Sequence, residues 1–128
     1  MNSYDPAQAP TPEVWLSRDE QERIRLVEAF HRAERIKLPN TAAHAVFHVV
    51  IENQIAEGLD SVVRAMARLE TQGLSRHDCL HAIAWVFAHH FYDALHAGEK
   101  DGQTMTHERY DAAVERLDAA TWRVQTRE

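Results

Sequence analysis

The apolar residues of this chain recur at intervals of three and four positions, and this spacing constrains the fold more than any other feature. Such a spacing places apolar side chains on one side of an α-helix, whereas a half-buried β-strand needs alternation at every second position. No stretch of the sequence shows that alternation. The pattern therefore predicts an all-α fold, a compact bundle of about five helices joined by short loops.

Capping and helix-breaking residues divide the chain into these helices. Ser, Thr, Asp and Asn start helices because their side chains accept hydrogen bonds from the first backbone N–H groups, while Gly and Pro end them. The expected helices run from Ser17 to Leu38, from Asn40 or Thr41 to Gly58, from Asp60 to Gly73, from Ser75 to near Gly98, and from Thr106 through Thr121. Residues 1–16 hold three of the four prolines and are expected to form a disordered or loosely packed arm, ahead of a single helical domain, residues 17–128.

Length and charge limit the classes of function. The chain has 128 residues, 45% of them hydrophobic, which suffices for one domain with its own core. Acidic residues outnumber basic ones by 20 to 14, so the chain lacks the basic surface that general nucleic-acid binding needs. It also has no secretory signal and no run of about 20 apolar residues that could cross a membrane. A cytoplasmic protein is expected, without nucleic-acid or membrane partners, and a small-molecule substrate and a homodimer remain open.

Any metal site in this chain is expected to rely on histidine, because the one cysteine, Cys79, excludes zinc sites built from several cysteines. His44 and His48 form a stripe with Glu52, and His77 and His81 form a second stripe on another helix. Residues four apart on a helix are rotated by only about 40°, so each stripe lies on one face. Facing helices that each contribute such a pair are how bundles build metal sites, and these ligands suit iron, zinc, manganese or copper.

Further histidines lie near these stripes. His89 comes two turns after His81 and is expected to be an additional ligand or to support one. His90 points about 100° away from His89, so at most one of the two can share the stripe. His31 follows Glu28 in a spacing that occurs in di-iron bundles, but the many charges of its helix favour a solvent-exposed position.

The segment that carries both histidine pairs is similar to a bacterial family. Its two parts read His44-Ala-Val-Phe-His48-Val-Val-Ile-Glu52-Asn53-Gln54 and Gly73-Leu74-Ser75-Arg76-His77-Asp78-Cys79-Leu80-His81-Ala82-Ile83-Ala84. Over roughly residues 38–97 this pattern resembles the bacterial domain-of-unknown-function family numbered 1841. The resemblance implies a small helical protein and brings no activity with it. It carries over the following residues: His44, His48, Glu52, Gln54, Arg76, His77 and His81.

The leading hypothesis is a small helical metalloprotein. Its expected metal ligands are His44, His48, Glu52, His77, His81 and His89. Iron in a mono- or dinuclear site is favoured and zinc comes second, because the ligand mix resembles that of hemerythrin-like and di-iron bundles. Such a site with an open coordination position can serve a metal-dependent enzyme, with Glu52 as ligand or catalytic base, or a metal or oxygen sensor.

Two other interpretations remain open at this level. In the first, the protein is a non-enzymatic interaction or adaptor domain, and the histidines form a buried hydrogen-bonded network that fixes the register of the helices. In the second, clustered histidines titrate near pH 6–7 and act as a pH switch. Burying imidazoles and a carboxylate without partners would cost several kcal/mol, which favours a metal ion as their shared partner.

Overall fold

Seven α-helices make up most of the chain that the computed structural model describes, which comprises residues 3–34, 41–97 and 107–125. No strand occurs within these three segments. In chain order the helices are α1 (Pro12–Ser17), α2 (Glu20–Ala33), α3 (Thr41–Ala56), α4 (Asp60–Thr71), α5 (Arg76–Ala97), α6 (His107–Arg116) and α7 (Ala119–Gln125). The all-α fold predicted from the spacing of apolar residues is confirmed.

Glycines and a capping serine set the connections between the central helices. Gly58 and Gly73 follow α3 and α4 with φ angles of 75° and 101°, a region that side chains with a Cβ rarely adopt. Ser75 Oγ accepts a hydrogen bond of 3.1 Å from the backbone N–H of Asp78 at the start of α5. Four predicted boundaries fall outside the described residues: Leu38, Asn40, Gly98 and Thr106. Although α5 is 22 residues long, no helix within the described ranges is long and apolar enough to cross a membrane.

Helix α2 begins later than predicted, because Ser17 belongs to a separate short helix. Pro12 starts α1, and the Ser17 hydroxyl donates a 2.7 Å hydrogen bond to the carbonyl of Val14 inside it. Asp19 is the residue that caps α2, since its carboxylate accepts a 2.9 Å hydrogen bond from the backbone N–H of Glu22. An aspartate satisfies the first N–H groups as well as a serine does, and its charge also suits the helix N-terminus.

The last predicted helix is divided in two at Leu117 and Asp118. The Asp118 carboxylate accepts a 2.7 Å hydrogen bond from the backbone N–H of Thr121 and so caps α7. On the other side of the break, the Arg68 guanidinium donates to the carbonyl of Val114 at 2.8 Å and to that of Leu117 at 3.0 and 3.1 Å. A side chain from α4 therefore binds the carbonyls at the end of α6, in addition to the 3.1 Å bond that the Val114 carbonyl accepts from the backbone N–H of Leu117.

Helix α3 lies at the centre of the fold, between two groups of core residues. One group joins α3 to α4, α5 and α6 through side chains such as Ile51, Leu69 and Leu80. The second group joins α3 to α1 and α2 and includes Val27 and Val49. Because α3 packs against α2 on one side and against α5 on another, side chains from these three helices meet inside the bundle.

The described part of the N-terminal arm packs against the helices through its aromatic residues. Tyr4 is 4% exposed and Trp15 is fully buried, with their rings 5.7 Å apart. The Trp15 indole N–H donates a 2.9 Å hydrogen bond to Asn53 Oδ1 on α3. Two large aromatic rings bury enough apolar surface to hold this segment in place.

Candidate metal centre

Helix α3 turns His44, His48 and Glu52 toward the inside of the bundle. Because these residues are four apart, they lie above one another on one helix face. His48 and Glu52 are each 1% exposed, and His44 is partly buried. The neighbours Ala45 and Val49 belong to the core, so the polar stripe runs along the edge of an apolar face.

Helix α5 places His77 and His81 opposite the stripe of α3. The ring centroid of His81 lies 4.9 Å from that of His44 and 5.2 Å from that of His48. The ring of His77 lies 5.1 Å from His48 and 4.3 Å from His81. The structure thus brings the two predicted pairs together in one place inside the bundle.

A fifth histidine comes from α2. His31 is 1% exposed, and its ring lies 4.7 Å from that of His44 and 5.3 Å from that of His48. The solvent-exposed position predicted for His31 is therefore wrong. One signal was present in the sequence, because His31 follows Val27 by four residues and shares the apolar face that packs α2 against α3.

We call these five residues the histidine cluster: His31, His44, His48, His77 and His81. Four of them can each offer one ligand atom so that all four atoms lie within 4.8 Å of one another: His31, His44, His48 and His81. Nitrogen ligands bind a metal ion such as zinc at about 2.0–2.1 Å, which puts two nitrogens of a tetrahedral site about 3.4 Å apart. The four histidines could therefore hold a single metal ion with small side-chain adjustments.

The Nε2 atoms of the whole histidine cluster are buried and have no hydrogen-bond partner. Buried polar atoms in proteins nearly always have such a partner, so five exceptions in one place need an explanation. The His31 Nδ1 atom lies 2.8 Å from the carbonyl oxygen of Val27, which can only accept, so Nδ1 carries the hydrogen. In the neutral ring this leaves the Nε2 atom of His31 with a free lone pair, the form in which imidazole binds metals.

Burial keeps several rings of the cluster neutral. Loss of hydration is the main cause, followed by the charge that neighbouring histidines would carry. Together they lower the pKa of His44 from 6.5 to about 4, of His48 to about 2 and of His81 to about 3. The pKa of His77 is lowered too, chiefly by burial and then by His31. Neutral imidazole is the ligand form, so protons compete little with a metal ion near neutral pH.

Glu52 is held by other partners and does not join the imidazole nitrogens. Arg76 donates to both of its carboxylate oxygens, at 2.8 and 2.9 Å, and the Tyr4 hydroxyl donates to Oε2 at 2.5 Å. The side chain of Arg76 is 10% exposed, so this is a largely buried ion pair. Glu52, expected as a ligand or catalytic base, instead joins Arg76 and the N-terminal arm to the edge of the histidine cluster.

The structure does not bring His89 to the cluster. Its side chain is exposed, and its ring lies 4.1 Å from that of Trp85. Eight residues along a helix correspond to about 12 Å, which carries His89 well past His81. His90 is also turned away and has its Nδ1 atom 3.0 Å from the carbonyl of Val86. His89 was predicted as a ligand because it lies on the same side of α5 as His81. The prediction left out the distance between the two residues along the helix axis.

Two partners of the site have weak or no signals in the sequence. Tyr4 lies in a proline-rich segment without periodicity, so nothing local indicates that it is buried. Arg76 follows from the family resemblance alone, because an arginine at a helix start ordinarily faces solvent. Gln54, also carried over by the resemblance, lies farther along α3 and accepts a 2.7 Å hydrogen bond from the Tyr110 hydroxyl.

A cavity of about 640 Å³ opens beside the histidine cluster. His77 and Phe30 line it from the helices, and Tyr4 and Asp5 line it from the arm. Glu34, at the end of α2, adds a second carboxylate to its wall. The cavity is large enough for water or a small molecule and reaches the cluster at His77.

Comparison with known proteins identifies no relative of this chain. No protein-family model, curated protein or solved structure matches the chain. The resemblance to the bacterial family numbered 1841 stays a prediction, and the histidine cluster stands on its own geometry as a place that could hold a metal ion.

Proposed function

We propose that this protein binds one divalent transition-metal ion at the histidine cluster and works as a small metalloprotein. The observation that carries the proposal is the set of five buried Nε2 atoms without hydrogen-bond partners. A hydrogen-bonded network, the basis of the adaptor interpretation, would pair these nitrogens with donors. A metal ion supplies the missing partner for several of them at once.

We propose iron(II) as the first choice of ion and zinc(II) as the second. Imidazole suits zinc, copper, iron and nickel, whereas magnesium and calcium prefer oxygen ligands. The nearby Glu52 carboxylate is already paired with Arg76, so the histidines alone make up the proposed set of ligands.

A mononuclear site fits better than a dinuclear one. Paired metal ions lie about 3.5–4 Å apart, and the ligand mix of di-iron bundles includes several carboxylates. Among the described acidic residues, none joins the group of four histidines. Glu52, the carboxylate expected for this role, has both oxygens bound to Arg76.

The chemistry that we propose depends on whether small molecules can reach the metal ion. Four or five imidazoles leave one or two positions open in the coordination shell of a six-coordinate ion, and the cavity beside His77 gives small molecules a route to the site. Iron(II) with an open position can bind dioxygen, which underlies both oxygen sensing and oxidation chemistry. We propose a role of this kind, as an oxygen or metal sensor or a metal-dependent enzyme.

The family resemblance supports the same site. All four histidines that it carries over belong to the histidine cluster: His44, His48, His77 and His81. Arg76 and Glu52, also carried over, form the ion pair at its edge. A family that keeps these residues would keep the geometry on which the proposal depends.

Metal analysis of protein purified without a histidine tag tests the proposal. We expect close to one iron or zinc ion per chain, lost in the double variant His44→Ala/His81→Ala. The matched control is His89→Ala/His107→Ala, which removes two exposed histidines outside the cluster and should keep the metal. Protein that is isolated without metal, and whose melting temperature does not rise with added iron(II), zinc(II) or cobalt(II), would contradict the proposal.

A second measurement addresses the open coordination position. Nitric oxide added anaerobically to the iron(II) protein should give the electron paramagnetic resonance signal of an iron–nitrosyl complex. An iron(II) protein that binds no nitric oxide would rule out the oxygen-linked role and leave metal binding itself in place.

A further inference from the structure

Tyr4 reaches the histidine cluster from the N-terminal arm. Its side chain is 4% exposed, and its ring packs edge-on against that of His48, with centroids 5.7 Å apart. Its hydroxyl oxygen lies 2.5 Å from Glu52 Oε2 and 3.1 Å from His48 Nδ1. One phenol group therefore connects an imidazole of the cluster to a buried carboxylate.

The hydrogens of this contact can be assigned. A phenol has one hydrogen to donate, and an ionised carboxylate only accepts, so the short contact with Glu52 uses the hydrogen of Tyr4. The hydroxyl oxygen then accepts from His48, which requires the hydrogen of the His48 ring to be on Nδ1. In this tautomer the buried Nε2 atom of His48 has a free lone pair inside the cluster.

We propose that Tyr4 is a positioning residue of the metal site. Its hydroxyl holds His48 in the Nδ1–H tautomer and fixes the orientation of the ring, so that Nε2 is ready to bind the ion. The inference rests on the metal-binding function proposed above and adds the residue that prepares one of its ligands. Partners of this kind, bonded to the second nitrogen of a ligating histidine, commonly change metal affinity by 10–100-fold.

The surroundings of Glu52 make Tyr4 suitable for this role. Two hydrogen bonds from Arg76 fix the carboxylate, so the acceptor of the Tyr4 hydroxyl has a set position. Arg76 also donates a 3.0 Å hydrogen bond to the carbonyl of Pro6, two residues after Tyr4. The arm is thus attached at both residues, and its docking and the binding of metal stabilise each other, since coupling between two sites is reciprocal.

The variant Tyr4→Phe tests the proposal, because it keeps the ring and removes only the hydroxyl. We expect its zinc affinity, measured by competition with a chromophoric chelator, to be 10–100-fold weaker than that of the wild type. The matched control is Tyr110→Phe. Tyr110 is also 4% exposed and also donates a hydroxyl hydrogen bond, but a partly buried one to Gln54. Its loss should leave zinc affinity unchanged.

Two readouts separate positioning from a merely structural role. Nitrogen-15 NMR of the metal-free wild type should show His48 as the Nδ1–H tautomer, and Tyr4→Phe should shift it toward Nε2–H. In addition, in a His48→Ala background the change Tyr4→Phe should cause no further loss of zinc affinity, because the ligand on which it acts is gone.

The possible outcomes are distinct. A folded wild type that binds none of iron(II), zinc(II) and cobalt(II) overturns the proposed function and this inference together. Wild-type binding with equal affinities for Tyr4→Phe and Tyr110→Phe overturns this inference alone. An Nε2–H tautomer of His48 in the wild type also overturns it, and that measurement does not depend on whether Tyr4→Phe folds.

Discussion

Each histidine of the histidine cluster is expected to lower the stability of the metal-free protein while it contributes to metal binding. Each buried polar atom without a partner costs about 1–3 kcal/mol, and the cluster contains five such nitrogens. The metal-free protein bears this cost in full, while a bound ion would remove most of it. Replacing one imidazole by an apolar side chain of similar size should therefore separate the two properties.

We expect His81→Leu to raise the free energy of unfolding of the metal-free protein by about 1–2 kcal/mol, because an unpartnered buried nitrogen is replaced by an apolar side chain. The same change should abolish or strongly reduce the stabilisation that added zinc gives the wild type. Urea unfolding with and without zinc measures both effects.

His89→Leu is the control for this substitution, because His89 lies on the same helix with an exposed side chain. It should leave the response to zinc intact. If His81→Leu lowered stability without zinc and kept the full response to zinc, the ring of His81 would be a structural group and not a ligand.

At the scale of helices, one arginine binds the last turn of α6 and the break that follows it. Arg68 on α4 donates three hydrogen bonds to the carbonyls of Val114 and Leu117. Arg68→Met keeps the aliphatic stem and removes these bonds, so we expect a loss of about 1–3 kcal/mol in the free energy of unfolding. Urea denaturation followed by circular dichroism measures the loss, and hydrogen exchange should show that α7 is most affected.

Arg64→Met is the matched control, since Arg64 lies one turn earlier on α4 and pairs with Glu115 at the surface. The two side chains are 58% and 40% exposed, and exposed pairs contribute little. Equal losses for the two arginine variants would mean that the carbonyls of α6 do not depend on Arg68.

The same helices show how far local sequence information extends. The spacing of apolar residues and the glycines after α3 and α4 were sufficient to predict α2 to α5, because both signals act within a few residues. The break at Leu117 and Asp118 was missed. The apolar spacing continues through the break, and Arg68, whose hydrogen bonds accompany it, lies more than 40 residues away in the sequence.

The residues of the site also fall into those that local sequence patterns predict and those that depend on contacts between distant segments. The pairs on α3 and α5 could be predicted, because a spacing of four residues fixes which side chains share a helix face. His31 and Tyr4 could not, because their burial depends on how α2 and the arm pack against α3. Glu52 was correctly placed on the stripe of α3, but its partner Arg76 comes from another helix and takes its carboxylate.

For the whole molecule, the lowered pKa values of the cluster predict loss of stability in acid. In the unfolded chain each histidine takes up a proton near its ordinary pKa of 6.5, but in the folded protein His44, His48 and His81 do so only at about 4, 2 and 3. Between these values the unfolded state binds more protons, so stability is full above pH 6.5 and falls below it. At pH 5.5 each of these histidines contributes a loss of roughly 1 kcal/mol, so the three together cost the folded state a few kcal/mol.

Urea unfolding of the metal-free protein at pH 7.5 and 5.5 measures this loss. The variant His81→Leu should lose less stability than the wild type over the same interval, because one of the groups with a lowered pKa is absent. A wild type with equal stability at the two pH values would show that the rings are not buried in the neutral form.

The arrangement of the cluster along the chain also has a consequence for biosynthesis. His31, His44 and His48 precede α4, whereas His77 and His81 follow it on α5. A growing chain therefore contains only three of the five imidazoles until α5 has left the ribosome and packed against α3. The complete cluster forms late in synthesis, and a nascent chain that has emerged only as far as α4 would offer an ion an incomplete set of ligands.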